Sequence, residues 1–344
     1  MTVYVFVFEG EFGFELLNWQ GVVRKFAQTT APHDKIVCCS RANLYPLYES
    51  ADEFVDISDV PLFKRSRASA YWGIFTPAEL PRYRLLAQLR EKTLKRQLRA
   101  QLRRYIKAHS TVLQANPDQP VRFVFSSRRT RLNGCVFGWS RRDGVMDIYD
   151  LLDVGNNLYR PIEPDAAVRP KVEAQLGWSL DEPYLLVQMR HRDPTTDQPS
   201  DDTMDDDRLI DMLSERMRVV LLSFDTGRWL DSHSTFGDRA TYVCRTFPEQ
   251  ATLVAYARHS LFFTEGDFGS HIYVPPFMGR DVSAVAPRSI YQLESTPIAF
   301  WNENVFCFGG HILPVIAEEI FTSDETLEEF TRSIEQRVWV NANP

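Results

Sequence analysis

Short apolar runs alternate with amphipathic segments along most of the chain. The first run, residues 2 to 8, leads through a glycine-containing turn into a helical pattern over 14 to 28. Further strands are predicted at 36–39, 53–57, 121–126, 184–189, 218–224, 239–244, 261–264 and 282–286. Short apolar strands that alternate with helices are typical of parallel sheets covered by helices. The pattern therefore predicts an α/β fold.

A stretch rich in Asn, Pro and Gly near residues 155 to 170 divides this pattern into two halves. We predict two Rossmann-like domains that face each other across a cleft. The first is an acceptor domain over 1–165, with a basic helical insertion at about 64–120. The second is a nucleotide-binding domain over 166–312, and a C-terminal helix within 313–344 is expected to return to the first domain.

Composition excludes several classes of protein. The 344 residues are 44% apolar and 25% charged, with a net charge of −7. No apolar run approaches the ~18 residues that cross a bilayer. Five cysteines, without C-x-x-C spacing, predict neither a disulfide framework nor a cysteine zinc site. We expect no metal and a location in the reducing cytoplasm, with peripheral membrane contact left open.

Charge is distributed unevenly along the chain. Residues 64 to 142 hold 19 Lys/Arg against three acids, and the rest of the chain is strongly acidic. Leucines at helical spacing predict a helix over 82–107 with arginines between them. This basic block is either a solvated face or a surface for an anionic acceptor, a membrane or a polynucleotide.

Ligands of open α/β sheets bind at the carboxyl ends of strands, which directs attention to four loops. The strongest candidate follows the strand at 184–189 and contains Arg190, Arg192 and Asp193. A guanidinium donates two parallel hydrogen bonds to phosphate oxygens, so a diphosphate is a natural ligand. The alternative is that these arginines pair with the acids of 197–207.

The second loop, Thr264 to His271, has the sequence TEGDFGSH. Gly266 and Gly269 permit a close backbone approach to a phosphate, and the loop is predicted to open a helix near residue 269. Glu265 is placed to accept hydrogen bonds from sugar hydroxyls. The alternative is a plain strand-to-helix turn with Asp267 near the N-cap.

The third loop, GEFGFE, contains Gly10, Glu11, Gly13 and Glu15. Glu11, or as second choice Glu15, is a candidate base for the acceptor hydroxyl, and both glycines are predicted to contact the acceptor. Acids in a first helical turn also stabilise a helix without any catalytic role.

The fourth loop follows the strand at 121–126 and contributes Arg128 and Arg129. These two arginines either bind the acceptor or extend the basic surface.

The second half resembles the nucleotide-binding half of GT-B glycosyltransferases, especially GDP-fucose-dependent fucosyltransferases. In that family a strand runs into His-hydrophobic-Arg-Arg-x-Asp, and this chain reads QMRHRD at residues 188 to 193. The resemblance implies that Arg190 holds the donor diphosphate and that Asp193 matches the closing acid. It also assigns Asp225 and Ser270 to donor-binding turns. Gln188 and His191 depart from the family pattern.

The resulting prediction is an inverting, metal-independent GT-B glycosyltransferase that acts on a hydroxyl of an anionic or membrane-associated acceptor. It needs no cofactor besides its nucleotide-sugar co-substrate, and a GDP-sugar, with fucose, is favoured. The alternatives are a non-catalytic polyanion-binding protein and another phosphate-handling transferase. The predicted donor-binding residues are Arg190, Arg192, Asp193, Asp225, Glu265, Gly266, Asp267, Gly269, Ser270 and His271.

Overall fold

The computed structural model divides the chain into two compact units, Met1–Tyr159 and Arg160–Pro344. It describes residues 1–9, 12–64, 84–126, 130–132, 135–137, 141–142, 145–146, 157–190, 206–224, 240–264, 270–306 and 308–340. The first unit ends at Tyr159, before the predicted domain boundary at residue 165. The reason is that buried Ile162 donates its amide to the carbonyl of Phe277 at 2.8 Å, which ties this stretch to the second unit.

The first unit is built on a parallel four-stranded sheet in the order β3-β2-β1-β4. Its strands are β1 (Val3–Val7), β2 (Lys35–Ser40), β3 (Glu53–Asp56) and β4 (Val121–Phe125). Two antiparallel pairs follow, β5 (Thr130–Leu132) with β6 (Cys135–Phe137) and β7 (Arg141–Arg142) with β8 (Val145–Met146). β1 lies between two partners and is almost wholly buried, as expected of an apolar central strand.

Helices cover both faces of this sheet. They are α1 (Phe12–Phe14), a π-helix (Glu15–Trp19), α2 (Gln20–Thr29), a 3₁₀ segment (Ala42–Tyr48), α3 (Pro61–Lys64), α4 (Arg84–His109) and α5 (Thr111–Ala115). On one face, the ring of Phe26 in α2 contacts Tyr4 at 4.7 Å and Phe6 at 5.0 Å. These edge-to-face contacts join α2 to the central strand.

The basic helix α4 covers the opposite face. Leu102 and Ile106 are fully buried in a cluster with the valines of β1. The helical spacing of apolar residues is thus confirmed where these side chains are described. Beyond the end of α4, Ser110 and Thr111 hydrogen bond to Glu53 at the start of β3.

The second unit is built on a parallel six-stranded sheet in the order β11-β10-β9-β12-β13-β14. Its strands are β9 (Leu185–Arg190), β10 (Val219–Phe224), β11 (Ala240–Cys244), β12 (His259–Thr264), β13 (Val282–Ala286) and β14 (Ile312–Ile316). Its helices are α6 (Arg169–Leu176), α7 (Asp206–Arg216), α8 (Phe247–Tyr256), a 3₁₀ turn (His271–Tyr273), α9 (Val274–Phe277), α10 (Arg288–Asn304), α11 (Ala317–Ile320) and α12 (Asp324–Val340). The α/β prediction with two parallel-sheet domains is therefore confirmed.

The first residues of the C-terminal segment differ from the helical prediction. They form the edge strand β14, whose exposed Pro314 is compatible with an edge position because proline has no N–H to donate. The final helix α12 packs on the sheet of its own unit, where Leu327 and Ile334 are buried beside Leu209 of α7. The return of this segment to the first domain stays a prediction.

Among the described helices none is long and apolar enough to span a membrane. The longest, α4, carries charged residues throughout its length.

Candidate functional site

The second sheet has a reversal of strand order between β9 and β12. From β9 the chain adds β10 and β11 on one side, and then β12, β13 and β14 on the other. Ligands of open α/β sheets bind at the carboxyl ends of the strands at such a point. Arg190 ends β9 and is in register with Thr264, which ends β12. The two loops chosen from the sequence, 190–193 and 265–271, therefore begin side by side.

Three polar side chains are joined near these strand ends. Gln250 of α8 is fully buried and donates from Nε2 to Oε1 of Gln188 at 3.4 Å. Its own Oε1 lies 3.2 Å from Nδ1 of His271. A buried amide must satisfy both its donor and its acceptor, and this chain satisfies one of each.

The contact with Oε1 of Gln250 orients the ring of His271. An amide oxygen only accepts hydrogen bonds, so this contact is a hydrogen bond when Nδ1 carries the proton. His271 is half-buried at the start of the 3₁₀ turn.

The start of α8 places Gln250. Thr246 and Glu249 form a capping box, in which Oε2 of Glu249 accepts from the amides of Arg245 at 2.7 Å and Thr246 at 3.2 Å. Glu249 is buried and also forms an ion pair with Lys171. A helix start fixed in this way holds the next residue, Gln250, in position.

The helix predicted to open near residue 269 is short. The chain forms a 3₁₀ turn at His271–Tyr273 and then the four residues of α9, which include Pro275 and Pro276. So short a helix, with two residues that lack N–H groups, has little dipole to offer a phosphate. Beyond Thr264, the described polar side chains of this loop are those of Ser270 and His271.

Several predicted residues lie outside the described residues. These are Gly10, Glu11, Arg128, Arg129, Arg192, Asp193, Asp225, Glu265, Gly266, Asp267 and Gly269. Of Arg190, only the backbone at the end of β9 is described. The roles of all these residues stay predictions. Ser270, which is half-buried, directly precedes His271 and accepts a backbone hydrogen bond from Tyr273.

The first unit also has a strand-order reversal, between β1 and β4. Glu9, two residues beyond β1, donates its amide to the hydroxyl of Ser126, which follows β4, at 2.8 Å. Its carboxylate accepts bidentate hydrogen bonds from Arg99 of α4, from Nε to Oε2 at 3.1 Å and from Nη2 to Oε1. This paired geometry is the strong form of the Arg–carboxylate interaction.

Glu15 has a structural environment. It lies in the π-helix with no solvent exposure, 3.0 Å from Nη1 of Arg41, and it accepts a hydrogen bond from the hydroxyl of Tyr48. Burial raises the pKa of Glu15, against the opposing effects of the Arg41 cation and the Tyr48 hydroxyl. A carboxylate engaged and shielded in this way is not open to an acceptor, so the structure favours the structural alternative for Glu15. Gly13 is half-buried just before the π-helix.

Sequence reasoning overlooked several of these groups. Glu9 directly precedes the loop chosen from the sequence, yet nothing marks Arg99, 90 residues away, as its partner. Gln250 lies among apolar residues of α8 and carries no motif. A buried polar residue within an apolar helical pattern is the one signal that could have identified it.

Within the described ranges no cluster of three or more His, Cys, Asp or Glu is arranged to hold a metal ion.

The chain matches no protein-family model and no curated protein sequence. It is similar to solved structures of glycosyltransferases. The ADP-heptose LPS heptosyltransferase II of E. coli has 12% identity, with 99% of this chain and 98% of that chain covered, at a TM-score of 0.50. A glycosyl transferase family 9 protein from Veillonella parvula has 12% identity over 95% of this chain and 97% of that chain, at 0.47.

A UDP-GlcNAc 2-epimerase from Neisseria meningitidis has 10% identity over 100% of this chain and 94% of that chain, at a TM-score of 0.44. At these identities, similarity concerns the fold. The chain therefore has the α/β fold of GT-B glycosyltransferases, with two parallel-sheet domains.

Proposed function

We propose that this protein is a glycosyltransferase that transfers a sugar from a nucleoside-diphosphate donor to a hydroxyl group. The observation that carries the proposal is the reversal point of the second sheet, where Arg190 and Thr264 end adjacent strands. The buried chain from Gln188 through Gln250 to His271 supports it, because it fixes three polar side chains near these strand ends.

The proposed reaction is a direct displacement with inversion. The carboxylate of Glu11 takes the proton of the acceptor hydroxyl while the hydroxyl oxygen forms a bond to the anomeric carbon. The bond from that carbon to the diphosphate oxygen breaks, and its electron pair leaves with the diphosphate. Arg190 stabilises the charge that grows on this leaving group, in place of a metal ion.

His271 has a supporting, positioning role in the same loop. Its contact with Oε1 of Gln250 fixes the orientation of the ring after the proposed phosphate-binding residues. Arg192, Asp193, Asp225 and the loop 265–270 complete the proposed donor site.

GDP-fucose is the favoured donor, and its support is the match of Arg190 and Asp193 to the fucosyltransferase pattern. ADP-heptose is the second donor to examine, because the solved heptosyltransferase II of similar fold is named for it. The proposed acceptor is anionic or membrane-associated. Cytoplasmic location is part of the same proposal, supported by the buried free thiols of Cys38, Cys39 and Cys244.

Thermal stabilisation by nucleotides tests the donor site. ADP, GDP and UDP, free and as sugar conjugates, are compared with and without a chelator. Saturation to about 100 times the Kd stabilises a protein by about 2.7 kcal/mol. Arg190→Gln is expected to lose one charge-assisted contact and to weaken nucleotide affinity by about 10- to 100-fold.

Arg208→Gln is the matched control, since Arg208 is a half-exposed arginine of α7 paired with Asp324. It should keep the full nucleotide effect. Slow hydrolysis of the matching donor should fall in Arg190→Gln by about 100-fold or more. Equal nucleotide binding and hydrolysis in the wild type and in Arg190→Gln would refute the role of Arg190, and loss of binding with a chelator would refute metal independence.

A non-catalytic polyanion-binding protein is the second candidate, favoured by the exposed cations of α4. Donor hydrolysis distinguishes the two functions, because a binding protein has no reason to cleave a nucleotide sugar.

A further inference from the structure

The exposed face of α4 carries a row of cations. Arg96, Arg103 and Lys107 are exposed, and their spacings of seven and four residues place them along one line of the helix. The line is about 16 Å long at 1.5 Å per residue. Arg104 is exposed beside it, and the small Ala100 lies between Arg96 and Arg103.

These cations differ from their neighbour Arg99 in their partners. Arg99 is partly buried and paired with Glu9. Across the part of the chain that the structure describes, no carboxylate lies within ion-pair distance of Arg96, Arg103, Arg104 or Lys107. A row of unpaired like charges is unfavourable for the protein itself and favourable for an anionic ligand.

The row extends along the proposed acceptor side of the first sheet. Arg99 and Arg103 place their guanidinium carbons 4.8 and 5.1 Å from the ring centre of Phe125, the last residue of β4. Arg99 also binds Glu9, which follows β1 and precedes by two positions the proposed base Glu11. Two cations therefore lie at the carboxyl edge of this sheet: Arg99, which is paired with Glu9, and Arg103, which has no carboxylate partner among the described residues.

We infer that this row binds an anionic glycan, and that the acceptor of the proposed transfer reaction is therefore an oligosaccharide with phosphate, sulfate or carboxylate groups. The inference rests on the proposed function for the acceptor role, and on the cation row alone for the binding. Arginine suits such a ligand because its planar fork donates paired hydrogen bonds to these oxyanions.

The exposed face of α4 fits a glycan better than a bilayer or a nucleic acid. The large apolar side chains exposed in the described ranges are Met1, Tyr45, Trp339 and Val340, none of which belongs to α4. Residues 96–109, the part of α4 with described side chains, thus offer no large apolar side chain to insert into lipid. It also offers no free ring on which bases could stack, since Tyr105 is already stacked on His109 at 3.9 Å.

Binding of a heparin hexasaccharide by the full chain tests this inference, with neutral maltohexaose as the ligand control. Each arginine that contacts an oxyanion contributes about ten-fold in affinity. Arg103→Gln with Arg104→Gln should therefore weaken heparin binding by about 100-fold, and binding to the wild type should fall steeply with salt. Maltohexaose should not bind.

Arg122→Gln is the matched control variant. Arg122 is an exposed arginine of β4 in the same basic block, but it lies on the opposite face, over the ring of Tyr4. Its loss should change heparin affinity by only about two-fold, through screened long-range charge. A loss of about ten-fold in Arg122→Gln, the effect expected of each arginine of the row, would overturn the inference because it would reduce the row to net charge.

Two further ligands decide between polyanions. These ligands are vesicles of phosphatidylcholine with phosphatidylglycerol, and duplex DNA. If either binds more tightly than heparin, and does so through Arg103 and Arg104, the glycan inference is overturned. Nucleotide-dependent thermal stabilisation, read on the same samples, keeps the two proposals separate. If heparin does not bind while nucleotides still stabilise the protein, only the glycan inference is refuted. If nucleotides do not stabilise the protein, the proposed donor site is refuted.

Discussion

Arg41→Met should destabilise the first unit, because it removes the cation that faces a buried carboxylate. The side chains of Arg41 and Glu15 are 4% and 0% exposed and lie 3.0 Å apart. Removing one partner of such a pair costs about 3–5 kcal/mol. The hydroxyl of Tyr48 still donates to Glu15, so we expect a value near the lower end, about 3 kcal/mol.

The loss should depend on pH in a defined direction. Burial raises the pKa of Glu15 above its ordinary value of 4.5, and removing Arg41 takes away an opposing effect. The folded variant then keeps a proton that the unfolded chain has released. Its stability therefore falls as pH rises from the unfolded to the folded pKa, by at most about 1.4 kcal/mol per pH unit. The deficit should be smallest near the acidic end of this window and complete above it.

Amide hydrogen exchange is the suitable assay, because two units need not unfold together. Peptides from β2 report on the first unit, and peptides from β9 serve as an internal reference in the second. The double variant Glu15→Gln with Arg41→Met carries no charge at either position of this pair. It should regain most of the stability and lose the pH dependence.

A loss below about 1 kcal/mol in Arg41→Met would refute the reasoning, as would a deficit unchanged across the pH window. Either result would mean that Glu15 reaches solvent without Arg41. Glu15 would then return as a candidate base beside Glu11.

Three other changes test separate parts of the fold. Leu102→Ala removes a fully buried side chain that joins α4 to the first sheet, and should cost about 2–5 kcal/mol in the exchange protection of β2 without affecting nucleotide binding. His259→Gln should make the second unit less sensitive to acid. Burial lowers the pKa of His259 to about 4, so the wild type loses up to about 3 kcal/mol of stability as pH falls from the unfolded pKa of 6.5. Circular dichroism at stepped pH would show this, and an unchanged acid midpoint would contradict it. Gly21→Ala should cost about 1–3 kcal/mol in the protection of α2, since the added methyl would lie 2.8 Å from the ring of Tyr159; an unaltered α2 would show that the ring moves aside freely.

The sequence was sufficient to predict the parallel sheets because their strands are short apolar runs with clear ends. β1 and β12 are buried along nearly their whole length, as continuous apolar runs require. β14 was missed because Leu313 to Ile316 continues into a helical pattern and contains Pro314. An edge strand is defined by one hydrogen-bonded neighbour, here β13, and this pairing leaves no mark in a local pattern.

Side-chain partners were harder to predict than strands for the same reason. Loop 10–15 was predicted to supply a base for the acceptor hydroxyl, but the environment of Glu15 depends on Arg41 and Tyr48, which come from the segment after β2. The contact between Gln250 and Gln188 joins residues 62 positions apart. Local spacing carries no information on such pairs. Candidate loops can therefore be predicted from the sequence, whereas the side-chain contacts depend on the fold.

The two reversal points of the chain differ in a way that bears on function. In the first unit, the position between β1 and β4 is filled by the protein's own pair of Glu9 and Arg99. A phosphate there would have to displace a bidentate carboxylate, which presents the same charge to the same guanidinium. In the second unit, the position between β9 and β12 is bordered by the neutral amides of Gln188 and Gln250, with His271 beyond them. An anionic donor is therefore repelled by no fixed carboxylate among these described neighbours in the second unit, whereas Glu9 opposes it in the first. This asymmetry supports the proposal that the diphosphate binds at the second sheet and the acceptor at the first, beside the row of cations.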